Sequence, residues 1–539
     1  MTETILPPVD VLVIGMGPVG ATIGNLLGRY GVRTLIIDKA TEIYQAPRAI
    51  ALDNEALRIL QMAGLEEGAI ETVAIPCVHM RSPLFGEYAR IRSAGQIDGH
   101  PKLVTFFQPQ MEAVLRERLA ARPGISTLTG VELLDFETTG DTVKVRLRLA
   151  DGAMAWVQAR FLVGADGAGS PVRQALGIPF GGRTFAQDWL VVDAKHVPDP
   201  ITDIEFICDP ARPSPHMVAP GDRQRWEFML RPGETREQME QPATVRRLLA
   251  PWARAEDIEI ERVAVYRFHA RLADAFSQGR VFLAGDAAHI TPPFAGQGLV
   301  AGLRDAANLC WKLAWVVQGR AASTILDSYS VERRPHAKAM INLALFLGKL
   351  VMPSNRVAAF LTHGMMSLMG FVPRLRRLFE ELEIKPQNRF ANGLFAPQDR
   401  AARLVRGGLL PQGWVRSPVD HHMVLSDEAL GTSLALIGFG VDPAQSLETA
   451  LRSGWAQAGG TLLQFLPRGM AASTATPSWE DLAGVLVPGT APVGWVAVVR
   501  PDRTIIVDGP LSDAPRMVRQ TLGLLGASDA TETPVAALR

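Results

Sequence analysis

The sequence predicts an α/β protein with more than one domain. Its 539 residues are too many for a single compact core, and its content of 47% hydrophobic and 20% charged residues is typical of a folded protein. The stretch from Val9 to Lys39 contains a β-branched run, a glycine-rich turn, an Ala/Leu-rich segment and a second apolar run that ends in an acid. This order of strand, turn, helix, strand and acid is typical of a Rossmann-like unit.

The glycine-rich turn has the spacing of a dinucleotide-binding fingerprint. A short buried strand is predicted just before it, and Gly15, Gly17 and Gly20 then follow as G-x-G-x-x-G. Glycines at these positions let the backbone approach a pyrophosphate at the N-terminus of a helix. Asp38, at the end of the second strand, is placed to accept hydrogen bonds from ribose hydroxyls. The pattern predicts an ADP-containing cofactor and leaves NAD and FAD open.

Two further segments repeat the combination of a strand that ends in an acid beside glycine. The first, FLVGADGAGSPVRQALGI at 161–178, ends its strand at Asp166 and starts a helix near Pro171. The second, VFLAGDAAHITPPFAGQG at 281–298, ends its strand at Asp286 and is followed by a long helix. An acid at such a strand end is well placed to accept hydrogen bonds from a polyol such as the ribityl chain of FAD. These segments therefore favour FAD.

The order of these motifs along the chain resembles that of a known family. Over residues 9–345 the chain resembles the class A FAD-dependent aromatic hydroxylases, which are para-hydroxybenzoate hydroxylase-like flavoprotein monooxygenases. The matching motifs are GMGPVG at 15–20, APRA at 46–49, FFQPQMEAVLRERL at 106–119, GADG at 164–167 and GDAAH at 285–289. Within the family, WLVVDA, RWEFMLRPGE and RDAANLCWKL are most similar to 3-(3-hydroxyphenyl)propionate hydroxylases.

The resemblance implies FAD contacts at the matching positions. Arg48 matches an arginine near the flavin, Gln108 a flavin contact at a helix start, and Asp286 the contact to the ribityl chain. Asp166 matches an aspartate associated in the family with both FAD and NAD(P)H. The full set of implied FAD contacts is Gly15, Gly17, Pro18, Val19, Gly20, Asp38, Lys39, Arg48, Gln108, Asp166, Asp286, Gly298, Leu299 and Val300.

Val300 is a departure from the family pattern. Many relatives have Asn at this position, two residues after the last glycine of G-Q-G. The backbone N–H groups of Gly298, Leu299 or Val300 are expected to reach the flavin ring, and they need no particular side chain. The helix that follows carries a partial positive charge at its N-terminus, which would stabilise an anionic reduced flavin.

The resemblance implies a hydroxylation that consumes NADPH or NADH and O2. The reduced flavin and O2 form a flavin C4a-hydroperoxide, which adds a hydroxyl group ortho to the phenol of a 3-hydroxyphenylpropionate-like compound or a larger phenol, in aromatic-compound degradation. A phenolate reacts most readily, so a residue that takes the phenol proton is expected. The candidates are His216, Tyr266 and His269, and Pro293 is expected to fix the turn facing the reactive side of the flavin.

Residues between the second and third strand–acid motifs are expected to bind the substrate. Runs such as LVVDAKH and RWEFMLR alternate apolar and polar residues, which predicts an antiparallel sheet. Arg225 is expected to pair with a substrate carboxylate, and His289 to lie near the substrate. No Rossmann unit is seen for the nicotinamide cofactor, so NADPH and NADH both stay open.

These patterns predict a domain order. A Rossmann-like FAD-binding domain is interrupted by an antiparallel-sheet substrate domain, and the resemblance implies a C-terminal thioredoxin-like α/β domain. The absence of C-x-x-C excludes dithiol chemistry there, and we interpret the domain as structural support or as a homodimer contact. The predicted ranges are 1–180 and 276–345 (FAD binding), 181–275 (substrate sheet), 346–399 (helical connection), 400–526 (C-terminal domain) and 527–539 (disordered tail).

Composition excludes several classes of partner. Lys and Arg together number 55, as do Asp and Glu, so no nucleic acid partner is expected. The widely spaced Cys77, Cys208 and Cys310 support neither disulfides nor a metal site, and they predict a cytoplasmic protein. The most apolar stretch, 339–373, is interrupted by Lys349, Pro353, Arg356 and His363 before it reaches the length of a membrane span, which leaves contact with a membrane surface open.

Two alternatives to aromatic hydroxylation stay open. The motifs specify the flavin and not the acceptor, so an FAD-dependent epoxidase or oxidase of a non-phenolic substrate is the first. A non-catalytic FAD-fold binding protein is the second, although it has no reason to keep a complete flavin site. A disulfide-type flavin reductase is excluded, because no redox cysteine pair follows the first strand–helix unit.

Overall fold

The computed structural model describes residues 4–526 except 47, 253, 255–257, 354, 382–384, 398–401 and 472–475. The predicted tail and residue 47 of the APRA motif lie outside the described residues. The chain forms two compact units. The first consists of Met1–Gly28, Arg33–Ala306 and Ala337–Pro386, and the second of Arg29–Val32, Ala307–His336 and Gln387–Arg539.

The first unit combines two large sheets with helices. Its strands are β1 (Thr4–Ile5), β2 (Val9–Ile14), β3 (Thr34–Asp38), β4 (Ala51–Asp53), β5 (Thr72–Ala74), β6 (Cys77–Ser82), β7 (Gly86–Arg92), β8 (Gln96–Ile97), β9 (His100–Pro101), β10 (Leu103–Phe106), β11 (Ile125–Thr129), β12 (Glu132–Thr139), β13 (Thr142–Arg148), β14 (Met154–Gly164), β15 (Phe180–Lys195), β16 (Ile204–Ile207), β17 (Ser214–Ala219), β18 (Arg223–Met229), β19 (Glu259–Ala273), β20 (Ser277–Gln278), β21 (Val281–Leu283) and β22 (His289–Ile290). The helices that lie wholly or partly in it are α1 (Pro18–Arg29), α2 (Asn54–Met62), α3 (Gln108–Ala120), α4 (Pro171–Ala175), α5 (Arg236–Met239), α6 (Pro242–Leu249), α7 (Gly298–Val317), α8 (Ser328–Val351), α9 (Arg356–Met369) and α10 (Pro373–Glu380).

The first sheet brings the three strand–acid motifs to one edge. Strands β11, β3, β2 and β14 pair in parallel in that order, and β21 pairs in parallel with the end of β14. In register, Gly164 lies opposite both Ile14 and Leu283. Because parallel strands present their carboxyl ends at the same edge, the loops after β2, β3, β14 and β21 meet there.

The second sheet is larger than the sequence predicted. Its order is β22-β19-β15-β18-β17-β16-β6-β7. The predicted antiparallel strands of 181–275 are β15 to β19, but β16 also pairs in parallel with β6, which belongs to a hairpin far earlier in the chain. Local alternation of residues predicts each strand but not this long-range pairing.

The two faces of the second sheet have different partners. Alternation along β15 and β18 places Leu190, Trp226 and Phe228 on one face, where they pack with buried residues of α5 and α6. The other face carries Trp189 and Arg225. This second face, here called the inner face, contributes to the candidate site.

Helices α8 and α9 cover an apolar cluster of the first unit.

The predicted boundary between 345 and 346 falls inside α8, which is continuous to Val351. Among the described helices, none is by itself long and apolar enough to cross a membrane, and only the sharply bent pair Ser323–Val351 and Arg356–Met369 meets that criterion jointly.

The second unit contains a sheet of its own. The order is β24-β23-β27-β26-β25-β28-β29, in which β25 is parallel to β26 and antiparallel to β28. Its described elements after 387 are β23 (Trp414–Arg416), β24 (Met423–Leu425), β25 (Leu434–Phe439), β26 (Gly460–Pro467), β27 (Ser478–Asp481), β28 (Trp495–Val499), β29 (Ile505–Pro510), α11 (Ser426–Leu430), α12 (Thr449–Gln457) and α13 (Ala514–Leu525). A mixed sheet flanked by helices agrees with the predicted α/β class, and the thioredoxin-like assignment stays a prediction.

Candidate functional site

The loop after β2 is shaped by two glycines that tolerate no side chain. Gly15 has φ +100°, and a Cβ there would lie 2.3 Å from the carbonyl oxygen of Ala165. A Cβ at Gly20 would lie 1.9 Å from the carbonyl oxygen of Gly15. The first turn of α1, which begins at Pro18, therefore packs directly against the loop after β14.

Gly17 differs from these two glycines. A Cβ at Gly17 would meet no protein atom within 4 Å, and its φ is not in the left-handed region. Neither packing nor backbone conformation requires glycine at this position. A ligand that approaches the backbone closely would require it, so this position fits a pyrophosphate at the start of α1.

The peptide of Met16, inside the same loop, is held on both sides. Its N–H donates to Oδ2 of Asp38 at 2.7 Å, and its carbonyl oxygen accepts from Nε of Arg116 at 3.1 Å. Arg116 also pairs with Glu112 at 2.7 Å, one turn earlier in α3. Asp38 is thus a loop anchor as well as the predicted ribose acceptor, and the exposed Lys39 follows it. Sequence reasoning missed Glu112 and Arg116, although their i,i+4 spacing was visible.

Several predicted residues converge on Ala46, Arg48 and Ala49 of the APRA motif. Gln108, at the start of α3, accepts from the backbone N–H of Ala49 at 3.1 Å. The Tyr266 hydroxyl donates to the carbonyl oxygen of Ala46 at 3.4 Å. Nη1 of Arg48 lies 3.8 Å from Oδ2 of Asp286, and both side chains are partly exposed. These residues therefore join the inner face of the second sheet to the acid at the end of β21.

Asp166 and Asp286 occupy linked turns. Oδ2 of Asp166 accepts from the N–H of Val172 at 3.0 Å, and burial raises the pKa of this carboxyl group. Its Oδ1 is buried and has no hydrogen-bond partner among the described residues. Arg173 donates to the carbonyl oxygens of Ala168 and Ala287, which ties the two turns together.

Val19 packs where the loop after β21 meets two helices. A Cβ at Gly285 would lie 3.0 Å from Val19, and one at Gly302 would lie 2.6 Å from it. Val19, at the start of α1, thus packs against the Asp286 turn and against the first part of α7. Gly285 and Gly302 allow these contacts because they have no side chain. This contact explains why the predicted Val19 lies in the site, as a packing residue.

His289 has a structural partner. It is buried, and its Nε2 lies 2.7 Å from Oδ2 of Asp305, which also accepts from the N–H of Gly285 at 3.0 Å. The imidazole and the carboxylate together hold the turn that presents Asp286. The predicted place of His289 beside a substrate is not supported by this geometry.

A short turn precedes α7 and leads into the first residues of that helix. Pro293 starts a 3-10 turn that ends at Gly296, which has φ +61°, and α7 begins at Gly298. As first-turn residues, Gly298, Leu299 and Val300 have N–H groups that the helix itself does not bond, and their contact with a flavin ring stays a prediction. The side chain of Val300 is fully buried.

A buried ionic cluster beside this turn was not predicted from the sequence. Arg304 pairs with Asp53 at 2.9 Å and with Glu55 at 2.6 Å, and it donates to Gln297 at 3.0 Å. Lys385 pairs with Asp53 at 2.7 Å. Burial opposes ionisation, but Lys385 and Arg304 hold the pKa of Asp53 below its ordinary value. Hydrogen bonds with Asp53 and Arg304 thereby hold the side chain of Gln297 in G-Q-G.

Two of the predicted proton acceptors lie on the outer face of the second sheet, opposite the inner face. His216 pairs across strands with Trp226 and stacks on it at 4.5 Å, opposite the inner face. Burial lowers the pKa of His216 to about 4. His269 is three residues after Tyr266, so strand alternation turns it to the outer face, where Nδ1 contacts Thr184 at 2.9 Å. Only Tyr266 points to the inner face, and burial raises its pKa.

Arg225 is not free to bind a carboxylate. On the inner face its Nε and Nη2 donate to both oxygens of Asp193, at 2.7 and 3.1 Å, and Nη1 donates to the carbonyl oxygen of Arg48 at 3.3 Å. Arg262 pairs with the same Asp193 at 3.1 Å. The predicted role of Arg225 in substrate binding is replaced by one in holding the backbone of Arg48.

An aromatic-rich cluster lies beside the 293–295 turn. Phe294 packs edge-on against Trp189 and Phe268 of the inner face, with centroids 6.0 Å from each. Helices α8 and α9 close the cluster with Met340, Leu343, Leu347 and Met366. One wall of the cluster is thus formed by residues of 339–373, the most apolar stretch of the sequence.

His363 of α9 adds a polar group to these surroundings. It is buried and stacks on Tyr88, a member of the cluster, with centroids 4.3 Å apart. Its Nε2 lies 3.3 Å from the carbonyl oxygen of Leu350, which can only accept, so Nε2 carries the proton. Nδ1 is then an acceptor, and it has no partner among the described residues. Sequence reasoning noted His363 only as an interruption of an apolar stretch.

Among the described residues, no group of three or more His, Cys, Asp or Glu side chains is arranged to hold a metal ion. The predicted homodimer is not tested by a single chain and stays a prediction.

Two family models match the chain. One, described as an FAD binding domain, matches residues 8–344, and another, described as the HcaD C-terminal domain, matches residues 407–523. The 3-(3-hydroxy-phenyl)propionate/3-hydroxycinnamic acid hydroxylase of Escherichia coli (strain SE11) is 36% identical over 524 residues, which are 96% of this chain and 93% of the relative. A second such hydroxylase, from Burkholderia vietnamiensis, is 36% identical over 512 residues, 92% of this chain and 93% of the relative.

Solved structures share the fold. The flavin-dependent monooxygenase PieE, in complex with FAD and substrate, has a TM-score of 0.78 at 21% identity, covering 97% of this chain and 100% of that one. Aklavinone-11 hydroxylase, in a ternary complex with FAD and aklavinone, has a TM-score of 0.74 at 21% identity with the same coverage. The family model, the identity to the hydroxylases over nearly the whole chain and the convergent flavin motifs agree: the chain belongs to the FAD-dependent aromatic hydroxylases, a family of flavoprotein monooxygenases.

Proposed function

We propose that this chain is a monooxygenase that uses FAD, NADPH or NADH, and O2 to add a hydroxyl group ortho to the phenol of a 3-(3-hydroxyphenyl)propionate-like acid or a larger phenol. The observation that carries the proposal is the convergence of the flavin motifs beside a closed aromatic cluster, with the 293–295 turn between them. The names of the 36% identical relatives support the substrate class.

The described residues fit FAD. The open face of Gly17 would accept the pyrophosphate, Asp38 would bind the ribose, and Asp286 with Arg48 would bind the ribityl chain. The first N–H groups of α7, at the positive end of that helix, would hold the flavin ring and favour negative charge on it. When bound, FAD accepts electrons from the nicotinamide and activates O2, which no side chain can do.

The aromatic cluster is the proposed substrate site. Trp189, Phe268 and Phe294 supply apolar surface for an aromatic ring and keep water away from the reacting atoms. We assign the acceptor for the phenol proton to Nδ1 of His363, which is buried, fixed in its tautomer and without a partner among the described residues. An acceptor here favours a phenol over an alkene, which has no proton to give.

The test is oxidation of NADPH and NADH by the flavin-loaded protein with a panel of aromatic compounds. The panel contains 3-(3-hydroxyphenyl)propionate, 3-hydroxycinnamate, simple phenols and a flavonoid, with 3-phenylpropionate as the control that lacks the hydroxyl group. We expect the phenols alone to stimulate oxidation and to yield a product that has gained one oxygen atom ortho to the hydroxyl group. Failure of every phenol with FAD bound would favour an epoxidase or oxidase of non-phenolic substrates.

A further inference from the structure

Helix α9 carries apolar side chains on both of its sides. On one side Ala359 and Met366, together with the polar His363, are buried toward the aromatic cluster. Val357, Leu361 and Leu368 lie on the opposite side, with 69%, 64% and 69% of their surface exposed. A helix that is apolar all round is normally covered on all sides, by protein or by lipid.

The exposed apolar area extends past the end of α9. Of the 22 large apolar side chains exposed in the described part of the chain, eight fall between 357 and 375. Such a concentration marks an interaction surface, because scattered exposed apolar residues are normal but contiguous ones are not. The α9 surface is defined here as Val357, Phe360, Leu361, Met365, Leu368, Phe371, Val372 and Leu375.

The tip of the β6–β7 hairpin borders this surface. The ring of Phe85 lies 5.4 Å from that of Phe360, and a Cβ at Gly364 would lie 3.2 Å from Phe85. Leu84, beside it, is 52% exposed. The α9 surface therefore continues onto a second element of the first unit.

The charge around the α9 surface is mostly positive. Residues 337–379 contain six Lys or Arg and no Asp or Glu, in a chain whose total charge is balanced. Glu380 and the exposed Glu381 come next, and Glu380 is buried and already paired with Arg90, Arg92 and Arg376. Arg356 precedes the exposed face of α9, and Arg374 and Arg377 follow it, all three exposed. A symmetric contact with a second copy would bring these like charges together, whereas an anionic surface would neutralise them.

We propose that the α9 surface docks on an anionic lipid surface. Its apolar side chains enter the boundary of the acyl region, and the flanking arginines pair with lipid phosphates, without any segment crossing the bilayer. The opposite side of the same helix lines the aromatic cluster, so docking would place a wall of that cluster next to an apolar phase. The inference does not rest on the proposed reaction, because docking is measured without turnover.

The test is sedimentation of the full flavin-loaded chain with phosphatidylcholine vesicles, with or without phosphatidylglycerol. We expect binding to the anionic vesicles that weakens at about 0.5 M NaCl. Leu361→Glu with Leu368→Glu should abolish it, and each of Arg374→Gln and Arg377→Gln should weaken it about fivefold. Ile97→Glu, at an apolar residue of the first unit that is 46% exposed elsewhere, is the matched control and should bind as the unaltered chain does.

Two outcomes would overturn the proposal. One is absence of binding to anionic vesicles by a chain that retains bound FAD. The other is a dimer in light scattering that the Leu361→Glu, Leu368→Glu variant converts to a monomer, since the α9 surface would then be covered by a second copy. Flavin absorbance and circular dichroism of each variant separate loss of docking from loss of fold.

Discussion

A hydrogen-bond pattern, rather than a sequence motif, identifies the polar residue beside the aromatic cluster. The carbonyl oxygen of Leu350 fixes the tautomer of His363 and leaves Nδ1 as an acceptor. Burial lowers the pKa of His363 below its ordinary value of 6.5, although the bond to Leu350 opposes this. The imidazole is therefore neutral, and able to accept, at neutral pH.

We predict that His363→Leu lowers kcat/KM for a phenol by about a hundredfold, the usual contribution of a positioned proton acceptor. FAD affinity should not change. His363→Asn keeps an acceptor near Nδ1 and should recover part of the loss. The unaltered enzyme should lose activity only below pH 6.5, where His363 becomes protonated, and the leucine variant should lack this limb. The measurement is a pH profile of phenol-stimulated NAD(P)H oxidation.

His269→Leu is the matched control for that experiment. His269 lies on the outer face of the second sheet, bonded to Thr184, so its removal should leave kcat/KM unchanged. A His363→Leu enzyme that hydroxylates phenols at the full rate would contradict the assignment. A merely structural role of His363 would lower activity without changing the shape of the pH profile.

A single residue could be predicted when its role depends on its neighbours in the sequence, and not when it depends on a partner brought near by folding. Gly15, Asp38 and Asp286 could be predicted because glycine turns and strand ends leave a pattern in a few consecutive residues. The face of a strand on which His216 or Arg225 lies is set by pairing, and their partners Trp226 and Asp193 are not in any motif. Residue type alone gave no means of separating a proton acceptor from a core histidine.

At the scale of elements, the start of α7 depends on the buried ionic cluster around Asp53 and Arg304. Gln297 is held by Asp53 and Arg304, which belong to separate elements. Its neighbours Gly296 and Gly298 allow the backbone to turn but do not fix it. The buried ionic cluster supplies that rigidity, so its stability and the flavin site are coupled.

We predict that Arg304→Met costs about 3 kcal/mol in the free energy of unfolding, because it leaves Glu55 and part of the charge of Asp53 without a buried partner. It should also weaken FAD binding, since Gln297 loses a hydrogen bond. Urea unfolding and FAD titration measure the two effects. Arg267→Met, which removes an exposed pair with Asp188, is the control and should change neither. Equal stability of the two variants would contradict the role of the cluster.

The elements themselves were mostly predictable, and their pairing was not. Period-two alternation predicted β15 to β19, and strand–acid motifs predicted β2, β14 and β21. The hairpin β6–β7 joins the second sheet through β16, which lies more than a hundred residues later in the chain. No local pattern encodes such a partner, so the sheet was predicted too small.

At the scale of the whole molecule, two long helices are divided between both compact units, and the last residue of α1 also belongs to the second. The division of the chain falls within α7, after Ala306, and within α8, after His336. The sequence predicted domain boundaries near 345 and 400, whereas the division of the structure falls inside continuous helices, which no local pattern marks. Neither unit contains the whole of either helix, so unfolding of one removes part of a helix from the other.

We predict that the two units unfold together, and two cysteines report on them separately. Cys208 lies in the first unit and Cys310 in the second, both fully buried. Burial raises the pKa of Cys208 to about 12 and that of Cys310 well above its ordinary value, so only the partly buried Cys77 should react with a thiol reagent in the native chain.

In a urea titration, Cys208 and Cys310 should therefore become reactive at the same urea concentration, as read by mass spectrometry of labelled peptides. Added FAD should move both transitions to higher urea, because a ligand that binds only the folded state stabilises it by mass action. Labelling of Cys310 at a lower urea concentration than Cys208 would contradict shared unfolding. It would mean that the second half of α7 melts while the first half, which presents the flavin-binding N–H groups, stays folded.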